Sequence, residues 1–119
     1  IEENRRNELA SGVEVLQIRG PLFFGAVDQL DNMLDQFPKP PKVLILRMRL
    51  VPLIDASGVH ALKSLASRCK NIGSVLVISG LQAQPKRVLL QMGFLPKPGE
   101  LQFADNFDEA IKMATEFTQ

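Results

Sequence analysis

The sequence predicts a single α/β domain in which four strands alternate with four helices. Two apolar runs, residues 43–48 and 74–79, have the length of strands and almost no polar interruption, which is typical of strands buried on both faces of a parallel or mixed sheet. Each run is followed by a segment whose apolar residues recur at helical spacing. With 119 residues, 45% of them hydrophobic, the chain is long enough for one such core and too short for a second domain.

Four segments have the pattern of strands. In the first, residues 13–19, β-branched and polar side chains are interleaved between two turn-forming glycines. The second and third are the apolar runs at 43–48 and 74–79, and Gly80 closes the third strand. The fourth, residues 101–104, is shorter. The connections between these strands are short enough for an α/β sandwich.

The first two helices follow the first two strands. Residues 26–37 carry apolar side chains at helical spacing, and the prolines that begin at Pro38 end this helix, because proline cannot continue it. The second helix covers residues 59–71. In the turn before it, Asp55 or Ser57 can accept hydrogen bonds from the free amide groups of the first helical turn.

The last two helices have recognisable ends. Pro85 lies at the start of the third helix, where its missing amide proton costs nothing, and Gly93 ends that helix. Asp105 or Asn106 caps the fourth helix, which runs through Phe117.

Charge and composition exclude several classes of function. Fourteen Lys and Arg against thirteen Asp and Glu leave a net charge of +1, without the basic excess of a nucleic-acid-binding protein. We therefore interpret Lys86 with Arg87, and Arg47 with Arg49, as solvated surface. No apolar run reaches the roughly 18 residues of a membrane span. The single cysteine, Cys69, excludes an intrachain disulfide and favours a reducing compartment.

The sequence shows no pattern of a catalytic, metal or cofactor site. Cys69 and His60 lie nine residues apart on one predicted helix, on opposite faces, so they cannot form a catalytic dyad. Cys69 belongs to the apolar stripe, and His60 to the outer face. One histidine and one cysteine cannot supply a zinc site, and the glycines form no nucleotide-binding motif. No metal, no cofactor and no enzymatic activity are predicted.

The turn from Asp55 to Gly58 is the most informative junction of the chain. Short polar or small residues connect an apolar strand to a helix, and Gly58 allows another backbone segment to approach closely. One interpretation is an N-cap. The other is a switch, in which a phosphate at an exposed helix N-terminus would change the surface shown to a partner. The residues alone favour the cap.

The segment from Asp55 to Leu62, Asp-Ala-Ser-Gly-Val-His-Ala-Leu, resembles the signature of STAS domains. Bacterial anti-sigma factor antagonists share this domain with the cytoplasmic tails of SulP anion transporters. The resemblance implies a STAS (anti-sigma factor antagonist-like) fold, with about four strands in a mixed sheet flanked by helices, and a non-catalytic function through protein–protein contacts. We interpret residues 13–119 as the STAS domain and the polar residues 1–12 as a linker from a preceding segment.

One position and one segment separate the branches of this family. In the antagonists, the residue after the aspartate of the motif is the phosphorylated serine or threonine, and here it is Ala56, which has no hydroxyl. Ser57 remains as a candidate for phosphorylation. Residues 20–26, Gly-Pro-Leu-Phe-Phe-Gly-Ala, resemble a segment of SulP tails. The sequence is therefore most like the C-terminal STAS domain of a bacterial SulP-type transporter, and a free-standing antagonist-like signalling module is the alternative.

The transporter resemblance implies a regulatory domain at the cytoplasmic face of the bacterial inner membrane. Its implied partners are the transmembrane domain of the same transporter, a cytoplasmic regulatory protein or a second copy of the parent. Phe23 and Phe24 are either core or exposed docking residues, and core is favoured. The anion, sulfate or another small anion, would bind in the membrane part, so this chain does not identify it. The candidate contact surface consists of Asp55, Ser57, Gly58, His60, Lys63 and Ser64.

Overall fold

The computed structural model describes residues 9–119, which form strands and helices in strict alternation. The elements are β1 (Val13–Arg19), α1 (Ala26–Leu34), β2 (Val43–Leu50), α2 (Ala56–Asn71), β3 (Val75–Ser79), α3 (Ala83–Gln91), β4 (Leu101–Ala104) and α4 (Phe107–Phe117). This order confirms the predicted α/β class. Within the described part of the chain, no helix combines the length and the apolar content that crossing a bilayer requires.

The four strands form one sheet in the order β1-β2-β3-β4, and every neighbouring pair is parallel. The expectation of a mixed sheet is therefore wrong. Each connection contains a helix that returns the chain to the end of the sheet where the previous strand began, so the next strand runs in the same direction. At the centre, Val43 of β2 pairs with Val13 of β1 on one side and with Val75 of β3 on the other.

Helices α1, α2 and α3 pack on one face of the sheet. Leu30 of α1, Leu62 and Leu65 of α2, and Leu89 of α3 are almost completely buried there. They pack with alternate residues of the central strands, which are Leu44, Leu46, Met48, Leu76 and Ile78. This cluster is the larger of two cores, and it positions the start of α2 at one end of the sheet.

Helix α4 packs on the opposite face, where it contacts β2, β3 and β4. Its Phe107, Ala110 and Ala114 form a second core with strand residues that include Ile45 and Val77. The side chains of Leu9 and Ala10 also pack against this core. These two residues belong to the predicted linker, of which residues 1–8 lie outside the described part of the chain, so the predicted boundary at residue 13 stays a prediction.

Arg47 also lies on the α4 face, and interpreting it as solvated surface was wrong. The side chain is 7% exposed, and its guanidinium lies 4.0 Å from the centroid of the Phe107 ring. The reason is that β2 is covered on both faces, so an alternate residue of this strand has to lie under α4. Arg49, Lys86 and Arg87 are exposed as expected.

Two helix boundaries differ from the predictions. Helix α1 ends at Leu34 rather than at Phe37, because the amides of Gln36 and Phe37 donate to carbonyl oxygens three residues back, in a tighter turn. Helix α2 begins at Ala56, three residues before the predicted start, because Asp55 is its N-cap. Of the two caps predicted for α4, Asp105 and Asn106, the observed cap is Asn106, whose Oδ1 accepts a hydrogen bond from the amide of Glu109 at 2.8 Å.

Candidate functional site

Asp55 caps the first turn of α2. Its backbone is extended, and its Oδ1 accepts a hydrogen bond from the amide of Gly58 at 2.9 Å. Ser57, the other cap candidate, lies inside the first helical turn with an exposed side chain. The Asp55 carboxylate therefore pairs one of the free amides of the helix start and places a negative charge at the positive end of the helix dipole.

Gly58 is buried where the chain after β1 crosses the start of α2. A Cβ atom at this position would lie 2.3 Å from the carbonyl oxygen of Leu22 and 2.5 Å from Cγ1 of Ile54. Leu22 and Ile54 form an isolated parallel bridge that continues the pairing of β1 and β2 into the turn. The close backbone approach expected at Gly58 is present. Gly58 therefore allows the backbone at Leu22 to pack against the start of α2, and it offers no side chain to a partner.

The polar candidates on α2 share one outer ridge. Ser57, His60 and Ser64 are spaced three and four residues apart, which places them on the same helix face. Ser57 and His60 are exposed, and Ser64 is half-buried. Together with Asp55 and Lys63 these residues form what we call the α2 ridge. The helix therefore brings together five of the six predicted site residues, with the sixth, Gly58, beneath them.

Lys63 has a structural contact that the sequence does not reveal. Its ammonium donates a hydrogen bond to the carbonyl oxygen of Met92 at 2.7 Å. Met92 is the C-cap of α3, where carbonyl groups lack helical partners and attract a cation. Lys63 therefore joins α2 to the end of α3. The two residues are 29 positions apart in sequence, so no local pattern could have predicted their contact.

An exposed apolar patch borders the α2 ridge. Phe23 and Phe24 are 41% and 96% exposed, so the expectation that they belong to the core was wrong. Leu22 takes the inward position instead, and Gly25, with a φ of 86°, turns the chain before α1. Leu53 is also exposed, and its carbonyl oxygen accepts a hydrogen bond from the amide of Leu22. We call Phe23, Phe24 and Leu53 the apolar patch.

Sequence reasoning missed Leu53 and misplaced the two phenylalanines. The sequence feature that indicates exposed phenylalanines is the run of three bulky apolar residues, Leu22 to Phe24, directly before a glycine. A chain that turns immediately afterwards can direct only some of these side chains into the core. Exposed apolar residues on adjoining chain segments are typical of surfaces that bind another protein.

The Cys69 thiol of α2 lies in the core, away from the α2 ridge. Burial raises the pKa of the Cys69 thiol to about 11, and the positive charge of Arg68 opposes this shift. The side chain is completely buried, which confirms the interpretation of Cys69 as a core residue. In the described residues 9–119, no three histidine, cysteine, aspartate or glutamate side chains are grouped so that they could hold a metal ion.

Comparison with known proteins identifies the family. A family model described as "STAS domain" matches residues 5–110. The "Putative sulfate transporter YvdB" of Bacillus subtilis (strain 168) is 41% identical over 98 residues, which is 82% of this chain and 18% of that protein. The crystal structure of a sulfate transporter family protein from Wolinella succinogenes is 38% identical, with a TM-score of 0.82, and the match covers 92% of this chain and 90% of that chain.

The fold also occurs in a different functional branch. A "putative anti-sigma factor antagonist" from Thermotoga maritima matches with a TM-score of 0.75 and 16% identity over 90% of this chain and 91% of that chain. At this identity the likeness concerns the fold alone. The parallel sheet, the capped turn and the family match together define a STAS domain, and the chain belongs to the STAS domain family. The resemblance to the sulfate transporter branch is confirmed by the identities of 41% and 38%.

Proposed function

We propose that this chain is the non-catalytic, cytoplasmic regulatory domain of a SulP-type secondary anion transporter that moves sulfate or a related small anion. The observation that carries the proposal is the 41% identity to part of the Bacillus subtilis protein named as a sulfate transporter. The chain spans only 18% of that protein, so most of such a transporter lies outside the matched region. In this proposal the domain controls transport, and the membrane part carries the anion.

The proposed contact surface is the α2 ridge together with the apolar patch. The ridge offers the exposed side chains of Asp55, Ser57 and His60, and the patch offers Phe24, which is 96% exposed. An apolar centre beside polar groups is the usual composition of a protein–protein interface. Its proposed partner is the transmembrane domain of the same transporter. A cytoplasmic regulatory protein and a second copy of the parent are the other partners that this surface would fit.

Ser57 is the proposed site of regulatory modification within this surface. Its hydroxyl is exposed and lies in the first turn of α2. A phosphate there would lie near the positive end of the helix dipole, and it would add negative charge beside the carboxylate of Asp55. Phosphorylation of Ser57 would therefore change the charge of the α2 ridge without disturbing the core.

A free-standing signalling module of the anti-sigma factor antagonist type is the second candidate. Its support is the common fold, seen in the Thermotoga maritima structure at a TM-score of 0.75. Ala56 weighs against it, since the position that the resemblance assigns to the phosphorylated residue has no hydroxyl. The sequence identities also favour the transporter branch.

The experiment that tests the proposal is the removal of residues 1–119 from the parent protein. Both forms are expressed, their membrane insertion is verified, and the uptake of labelled sulfate, bicarbonate and a dicarboxylate is followed. We expect the shortened parent to insert normally and to show reduced or altered uptake. A parent without membrane spans and without uptake would exclude the transporter and leave the signalling module. Unchanged uptake in the shortened parent would exclude a regulatory role.

A further inference from the structure

A cavity of about 300 Å³ lies between α2 and the loop that joins α3 to β4. It is separate from the apolar patch, and Lys63 is the one residue of the α2 ridge that also lines it. On the helix side, Lys63, Ser67 and Lys70 line the cavity and share one helix face by their spacing. On the loop side, Lys97 and Glu100 form its rim. Its volume is at the lower end of the range for sites that bind small molecules.

The floor of the cavity is apolar and well fixed. Phe94 and Leu101 line it, and each is only 5% exposed. The amide of Phe94 donates to the carbonyl oxygen of Leu89 at 2.9 Å, and its ring lies 6.1 Å from the ring of Phe103. Since both residues belong to the main core, the floor is held in place without a ligand.

The rim of the cavity is positive. It carries three lysines against the single carboxylate of Glu100, an excess of two positive charges. The ammonium of Lys70 lies 3.7 Å from Glu100 Oε1, a long contact between exposed groups that contributes little. No carboxylate of residues 9–119 lies within ion-pair distance of the Lys97 ammonium. Lys97 and Lys70 can therefore turn to an incoming anion.

We propose that this cavity binds a small organic anion, a carboxylate or phosphate joined to an aromatic or aliphatic group. The apolar part would rest on the floor of Phe94 and Leu101 and cover the side chain of Leu95, which is 51% exposed and would release water. The anionic end would pair with the ammonium groups of Lys97 and Lys70. A ligand of about 11 non-hydrogen atoms, the size of phenyl phosphate, should bind at this open, partly solvated rim with a dissociation constant on the order of 1 mM.

The test is an NMR titration of the ¹⁵N-labelled 119-residue chain with phenyl phosphate, and with inorganic phosphate and phenol as comparators. The chain has its own cores on both faces of the sheet, and the solved Wolinella succinogenes chain is of similar length. We expect saturable shifts of the amides of Ser67, Phe94, Leu95 and Lys97. Inorganic phosphate and phenol, which each lack one half of the ligand, should bind at least about tenfold more weakly.

Substitutions distinguish binding in this cavity from a nonspecific attraction of anions to the positive charges of the domain. Lys97→Glu should weaken phenyl phosphate binding at least about tenfold, whereas Lys112→Glu, an equal charge change on the exposed side of α4, should leave it unchanged. Ser67→Leu keeps the charge and fills the cavity, so it should also abolish binding. The dispersion of the amide spectrum shows that each variant is folded.

Several results would overturn the proposal. These are shifts that stay linear to about 20 mM ligand, shifts centred elsewhere on the domain, or equal weakening by Lys97→Glu and Lys112→Glu. Inorganic phosphate that binds as tightly as phenyl phosphate would also overturn it, because the apolar floor would then have no part in recognition. Every outcome is measured on this chain alone, so none depends on the proposed transporter.

Discussion

The glycine at position 58 sets the distance between the start of α2 and the carbonyl oxygen of Leu22. Gly58→Ala would place a methyl group 2.3 Å from that oxygen, so the backbone would have to move. We expect the free energy of unfolding to fall by about 1–3 kcal/mol, although alanine is favoured over glycine in helices by about 1 kcal/mol. Urea denaturation measures the change. Ser67→Ala, at an exposed position of the same helix, is the control and should stay within about 0.5 kcal/mol.

Asp55 stabilises the same turn through a hydrogen bond and through its charge. Asp55→Ala removes both and should cost about 1 kcal/mol of unfolding free energy. Asp55→Asn keeps an acceptor for the amide of Gly58 and should lose only the interaction of the charge with the helix dipole, about 0.3–1 kcal/mol. Thermal or urea unfolding of the two variants compares these contributions. Equal losses in both variants would contradict the assignment of Asp55 as a hydrogen-bonding cap.

The buried thiol of Cys69 should be nearly unreactive in the folded protein. Its pKa of about 11 leaves about 100-fold less thiolate at pH 8 than the ordinary value of 9.0 would. Labelling with a thiol reagent should therefore be slower by at least that factor until denaturant is added. Rapid labelling of the native protein would show that Cys69 is not buried in solution.

The same pKa makes stability depend on alkaline pH. Because the folded-state pKa is raised, the unfolded chain releases the thiol proton first, and stability falls as pH rises from 9.0 to about 11. Cys69→Ala lacks this component, so its unfolding free energy should fall less over the same interval. The lysines also titrate at alkaline pH, but both proteins contain them. The difference between the two proteins therefore reports the contribution of Cys69 to the pH dependence of the unfolding free energy.

At the scale of elements, Arg68 joins α2 to α1. Its guanidinium donates to Asp35 Oδ1 at 2.7 Å and to Asp31 Oδ1 at 3.1 Å. These hydrogen bonds, to Asp35 first and then Asp31, raise the pKa of Arg68 further, so the group stays charged at every accessible pH. All three side chains are partly exposed, and solvent screens their attraction.

Loss of this contact should have a small effect that depends on salt. Arg68→Ala should lower the unfolding free energy by about 0.5–1 kcal/mol at low ionic strength and by less in high salt. A double-mutant cycle with Asp35→Ala isolates the coupling between the two charges. Arg87→Ala, at an exposed position of α3, is the matched control. A loss that does not change with salt would contradict an electrostatic origin.

The strands and helices were predictable from sequence where the buried residues recur at the regular spacing of a strand or a helix, or where a local residue marks the end of an element. Residues 43–48 have the pattern of a strand because β2 is covered on both faces. Asp105 and Asn106 were both cap candidates because their short polar side chains suit that position, and the structure has Asn106 there. Arg47 was interpreted as solvated surface because it is charged and lies close in sequence to Arg49, another basic residue. Its burial depends on the Phe107 ring, 60 positions away, and no local pattern contains that contact.

The candidate site was predictable only in part, for the same reason. The Asp55 cap is local, since donor and acceptor are three residues apart. The apolar patch depends on a turn geometry at Gly25 and on contact between the chain segments at Leu22 and Leu53. The parallel direction of all four strands follows from the crossover helices, which the sequence did indicate, and the expectation of a mixed sheet disregarded this constraint.

A substitution in the apolar patch should affect the function of the molecule without affecting its stability. Phe24→Ser should leave the stability of the isolated chain within about 0.5 kcal/mol, because the ring is 96% exposed. In the parent protein, the same change should alter anion uptake if the patch contacts the transmembrane domain. Phe94→Ser, at a 5% exposed position, should instead unfold the domain. Normal uptake by a correctly inserted Phe24→Ser parent would remove the patch from the proposed interface.

The two faces of the sheet are covered at different times when the chain is made. The first face receives α1, α2 and α3 between successive strands, so its core can close progressively on the ribosome. In residues 9–119, α4 is the only helix on the other face, and it is synthesised after all four strands. A chain that stops before Phe107 would leave Ile45 and Val77 open to water on adjacent parallel strands. Such an intermediate would attract chaperones or other nascent chains, which makes translation of the last helix the step that protects the domain from aggregation.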